Sequence, residues 1–128
     1  MVLAPLLSAL AQRGATLTAR DGRLGVTPAG SVSDLREAIS TYKNDLLRLV
    51  EGAGGSLAPG GLLAVAFAQA LEGRPWLILE VVEPDRCESR LLTRETVERL
   101  ALWAAGRRWR VLDPDTPGDD PPRLLLEG

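Results

Sequence analysis

Residues 14–27 read GATLTARDGRLGVT, and the Asp21-Gly22 pair at the centre constrains the fold more than any other feature. A two-residue type I′ turn needs positive φ at both central residues, a need that Asp-Gly meets. With the turn there, Arg20 faces Arg23, Ala19 faces Leu24, Thr18 faces Gly25 and Leu17 faces Val26. Each apolar pair then lies on one face and each polar pair on the other, an agreement that a one-residue slip would destroy. Turn chemistry and side-chain pattern specify the same register.

Helical spacing flanks the hairpin on both sides. Leu3, Leu6, Leu7 and Leu10 share a stripe over residues 3–13, and Gly14 stands where a C′ glycine ends a helix. Pro28-Ala29-Gly30 closes the second strand. Ser33 is placed to cap the next helix, along which Leu35, Ile39, Tyr42, Leu46 and Val50 recur three or four apart. Thr41 and Asn44 are weak helix formers, and Asn44-Asp45 suits a further N-terminus, so one bent helix and two short ones both fit.

Residues 51–61 hold five glycines and a proline, which predicts a flexible connector rather than an element. Six cationic and five acidic residues precede position 53, whereas nine and twelve follow, and this supports a boundary there. The expected organisation is a module at 1–50, a linker at 51–61 and a small α/β domain at 62–128. In the latter, Leu62 to Leu71 is apolar nearly all round and reads as a buried helix stopped by Gly73 and Pro75. Trp76 to Val82 reads as a strand covered on both faces. Leu92, Thr93 and Val97 have the spacing of a hydrophobic staple that opens a helix ending at Gly106. Arg108 to Leu112 alternates like a half-buried strand, and Leu124 to Leu126 suits a short edge strand. A small βαβ-like unit is expected, hence an α+β fold class overall.

The arrangement of helix, tight hairpin and a helical segment ending Lys43-Asn44-Asp45-Leu46-Leu47-Arg48-Leu49-Val50 resembles the TubC N-terminal docking domain family. The matching residues are Leu7, Leu10 and Gly14, then Leu17, Asp21 to Val26, Pro28-Ala29-Gly30, Leu35 and Ile39. Lys43 is the only lysine among fifteen cationic residues, and it falls on the family's lysine. The resemblance covers about residues 3–50 and implies an α-β-β-α-α module, often dimeric. In the family this module sits at the N-terminus of a megasynthase subunit and holds the C-terminal tail of the preceding subunit on its hairpin. Here no condensation, cyclisation or ketosynthase domain follows within the chain. Stand-alone proteins with such a module also occur in bacterial, plasmid and phage genomes.

The remaining chemistry is sparse. There is no histidine and a single cysteine, so neither a histidine-based triad nor an internal disulfide is available. Cys87 is expected in a loop beside Arg86, where a structural or incidental role suits it. Glu83-Pro84-Asp85, Asp113-Pro114-Asp115 and Asp119-Asp120 are irregularly spaced carboxylates that read as solvated turns rather than a metal cage. Arg107-Arg108-Trp109-Arg110 offers cations around an aromatic, but the net charge of −2 and an acidic second half oppose nucleic-acid binding. Trp109, like Trp76 and Trp103, is expected in the core. No signal peptide or membrane span is legible, and a reduced cytoplasmic setting fits.

Arg20 opposite Arg23 is the local anomaly, since like charges directly across a strand pair repel. Either both side chains splay into water beside Asp21, or they form an electropositive notch for an acidic peptide such as a C-terminal tail, laid along the free strand edge by β-augmentation. The sequence therefore predicts a non-enzymatic docking or adaptor protein without cofactor or metal. Its expected partner-binding residues are Thr18, Arg20, Asp21, Gly22, Arg23, Gly25 and Lys43, and homodimerisation is compatible. The alternative is an accessory protein of a phage, plasmid or other mobile-element DNA-replication system.

Overall fold

Helix α1 (Leu3–Gln12) opens the computed structural model, which describes residues 3–27, 33–114 and 122–128. Leu3, Leu6, Leu7 and Leu10 are buried, and the helix ends in a Schellman motif. Gly14 takes φ +69°, its N–H donates to Ala11 O, and the Ala15 N–H donates to Leu10 O at 3.0 Å. The chain then enters β1 (Thr16–Arg20), turns at Asp21-Gly22 and returns as β2 (Arg23–Thr27). Asp21 and Gly22 take φ +52° and +73°, and every cross-strand partner is the one that the turn dictates.

Residues 33–35 form a 3₁₀ turn, so α2 (Arg36–Thr41) starts later than a cap at Ser33 places it. A break at Tyr42 separates α2 from α3 (Lys43–Gly52), which decides between the two helical readings in favour of two short helices. Pro28-Ala29-Gly30 lies outside the described residues.

The glycine-rich segment differs from expectation. Gly54 and Gly55 serve as a cap rather than slack: α3 ends in a second Schellman motif, with Gly54 at φ +89° and the Gly55 N–H on Val50 O at 2.9 Å, while Gly60 and Gly61 lie in the next helix. That cap turns the chain back along the hairpin as β3 (Ser56–Leu57), antiparallel to β1 with Leu57 opposite Leu17. The first sheet is therefore three-stranded, in the order β2-β1-β3. Ala58 alone then joins β3 to α4 (Pro59–Ala70), whose N1 proline suits a helix start.

The second sheet has the order β5-β4-β6-β7, antiparallel throughout, rather than a βαβ crossover. The strand that the sequence hid is β5 (Cys87–Leu92), paired along its length with β4 (Leu77–Val82). Pro84-Asp85 is the tip of this hairpin, with Glu83 and Arg86 exchanging backbone hydrogen bonds. Cys87 is thus on a strand, not in a loop. An extra strand before α5 (Val97–Ala104) reverses the direction of the next one, so β6 (Trp109–Asp113) lies antiparallel to β4. Helix α5 begins after a turn in which the Thr93 N–H donates to Thr96 Oγ1 at 2.8 Å, later than an N-cap at Thr93 implies. The last strand is β7 (Arg123–Glu127), at the sheet edge with a bulge near Val111/Leu112.

Both sheets share one continuous core, because α1 packs along α4 and α4 carries the core on to the second sheet. Phe67 of α4 meets the Trp109 ring edge-on, with centroids 4.9 Å apart and an interplanar angle of 87°. A Cβ on Gly128 would overlap that indole, so the glycine lets β7's end lie beside it. Strand β4 departs from two-sided burial. Leu77, Leu79 and Val81 are fully buried, whereas Ile78, Glu80 and Val82 on the other face are only half-buried. Among the described residues, no helix is long and apolar enough to cross a membrane.

Candidate functional site

Four of the seven expected partner-binding residues share one surface. Thr18 pairs with Gly25 and Arg20 with Arg23, which puts all four on the polar face of the first sheet. Asp21 and Gly22 form the tip of the same hairpin. The opposite face, bearing Leu17, Ala19, Leu24 and Val26, packs against the core, where α3 supplies Leu46 and Val50. Gly25 is required where it stands, since a Cβ there would lie 2.7 Å from Thr18 Oγ1.

Arg20 and Arg23 are both exposed, and among the described residues neither makes an ion pair. Arginines elsewhere behave differently: Arg107 holds Glu83 at 3.0 Å, Arg86 holds Glu83 at 3.2 Å, and Arg74 holds Asp113 at 3.3 Å. The two hairpin cations are therefore left for water or for a ligand. Lys43 is not brought to them. It opens α3, a helix of ten residues whose other end is the one tied through Gly55 to Ala19. Nine residues of rise separate the two ends by about 13 Å.

Backbone directions show which groups the free strand edge presents. In a two-residue hairpin the residues flanking the turn exchange hydrogen bonds, so Arg23, Gly25 and Thr27 point their amides at β1. Leu24 and Val26 then point their N–H and C=O groups outward. By the same alternation Leu17 and Ala19 face outward on β1, and the Ala19 N–H indeed donates to Gly55 O at 3.0 Å. One border of the hairpin is thus closed by the chain's own β3, while the β2 border carries no strand among the described residues. The turn already fixed which amides point outward, so the signal was present.

Near the base of the hairpin, Arg13 just beyond α1 forms an ion pair with Asp34, in the turn before α2. The hydrogen bond from Arg13 holds the Asp34 carboxyl below the ordinary carboxylate range. This ties the first helix to the segment that follows β2.

The other sequence motifs have these surroundings among the described residues. Trp109 is 2% exposed and sealed against Phe67, so the cations around it frame a buried ring rather than a stacking platform. Trp103 is half-buried beneath Arg90, whose guanidinium lies 5.0 Å from the ring centroid. Trp76 is the exception to the expected core placement. It is 39% exposed, because it precedes β4 on the side that the helices leave uncovered. Glu83 is engaged by Arg86 and Arg107, and among the described residues no three carboxylate, cysteine or histidine side chains gather in metal-holding geometry. Asp115, Asp119 and Asp120 lie outside the described residues. A groove of about 860 Å³ runs between α3, α4 and α5, with Ala64, Val65 and Ala68 in its lining beside Glu72, Arg94 and Glu98. No protein-family model matches the chain, and no match was found among the curated proteins or the solved structures.

Proposed function

We propose that the chain is a non-enzymatic docking protein that receives an acidic, extended segment of a partner as an added strand on β2. The carrying observation is the coincidence of two features on one border. The outward amides of Leu24 and Val26 have no partner strand among the described residues, and the unpaired cations of Arg20 and Arg23 lie beside them. Strand addition supplies affinity through main-chain hydrogen bonds, and flanking charges select the ligand. β1 cannot serve, since β3 occupies its outer border.

The test is titration of a labelled acidic, β-prone peptide into the protein, read by anisotropy and by amide chemical shifts. The Arg20→Glu/Arg23→Glu variant should lose binding while keeping its far-UV spectrum. Val26→Pro, provided its far-UV spectrum is kept despite the trimmed core contact, should also lose binding, because it removes a donor that β1 does not use and edge positions tolerate proline. Unchanged affinity in both variants would remove the proposal. Salt-dependent retention of DNA in a gel would instead favour the mobile-element accessory role.

A further inference from the structure

Among the described residues, the second sheet has one face that packs against no helix and stays partly exposed. Its outer surface carries Leu91, Ile78, Leu112 and Leu124 in a single row across all four strands. None of the four belongs to the continuous core, and Leu91 and Leu124 are 53% and 46% exposed. The next row along the strands reads Ser89, Glu80, Arg110 and Glu127, with Glu80 and Arg110 in an ion pair. Strand β4 is apolar almost throughout, the pattern of a strand buried on both faces, yet the chain buries only one.

We propose that this face is the interface of a two-fold symmetric homodimer. The argument for a second copy is charge complementarity under the symmetry operation itself. A two-fold axis parallel to the strands, passing between β4 and β6, places each β4 over the partner copy's β6. Ile78 then meets Leu112 of the other copy, and Leu91 meets Leu124. Glu80 meets Arg110 in both directions, so four charges of alternating sign surround the axis. A surface that matches itself in this way is what an isologous contact requires. Two sheets stacked face to face normally stay within about 30° of alignment, which keeps the central four residues in register. The patch measures roughly 19 by 20 Å from strand spacing and rise, below the usual interface size, so the dimer belongs to the weak, transient class.

Sedimentation velocity over a concentration series from about 5 to about 500 µM tests this. The wild-type chain should pass from monomer to dimer within that range. Glu80→Arg and Arg110→Glu should each stay monomeric at every concentration, because like charges then meet across the axis. An equimolar mixture of the two variants should dimerise again, because each carries the charge that the other lacks. A role confined to the ion pair within one copy gives no such rescue on mixing. Leu91→Glu, at a position too exposed to matter for folding, should also abolish dimerisation, and it carries the test if a charge variant fails to fold. A wild-type chain that stays monomeric throughout would overturn the proposal and leave the face to a foreign partner. Variants that dimerise like wild type, or a mixture that stays monomeric, would overturn it too.

Discussion

Leu7→Ala tests whether the two sheets stand on one core. Leu7 is fully buried in α1, the helix that packs along α4, and it lies far in sequence from every tryptophan. Trp76, Trp103 and Trp109 all belong to the second half, so fluorescence reports there alone. Truncating a fully enclosed leucine costs about 3–4 kcal/mol in lost transfer energy and residual cavity. A chain of this length has a stability of roughly 6–19 kcal/mol, so the variant still folds. With a urea dependence of about 1.5 kcal/mol per molar, the midpoint should fall by roughly 2 M. The assay is urea unfolding followed in parallel by tryptophan fluorescence and far-UV circular dichroism. Both midpoints should fall together and by the same amount, because a shared core unfolds as one unit. An unchanged fluorescence midpoint beside a shifted dichroism transition would refute the continuity of the core, and with it the packing of α1 on α4.

Two smaller perturbations check local geometry. The Asp34 carboxyl titrates below its unfolded value, so the Arg13 contact supports folding above the ordinary carboxylate range and loses that support as pH falls through the lowered value. Arg13→Gln should return the Asp34 side-chain carbon resonance to an ordinary titration; an unaltered curve would contradict the contact. Gly22→Val should cost about 1–2 kcal/mol, since it forces a branched side chain to positive φ, and should lower Tm by roughly 3–8 °C. Asp21→Asn should be nearly neutral, because asparagine tolerates the same conformation.

The hairpin was legible because two independent codes agreed on it: the Asp-Gly turn set the register and the apolar alternation confirmed it. Where neither code is present, a strand is not legible. Ser56 and Leu57 pair with β1, but two residues among glycines offer no periodicity, and the glycines read as slack although Gly54 caps a helix. The clue was Leu57 itself, an isolated leucine that a solvated linker has no reason to carry. Strand β5 was missed for a related reason. Of Cys87 to Leu92 only Leu92 is buried, since an edge strand with one covered face needs few apolar residues. Missing it changed the parity of the strands and turned an antiparallel sheet into an expected parallel crossover. At the candidate site the hairpin residues share one surface while Lys43 lies apart, and the outward direction of the Leu24 and Val26 amides follows from the turn rather than from composition.

Ala58 is the whole of the tether between β3 and α4. Three hydrogen-bonded strands therefore connect to the central helix with no spare length, at the spot where the glycine content suggested a hinge. Whatever displaces the ribbon also displaces the N-terminus of α4, the helix that carries Phe67 into the core.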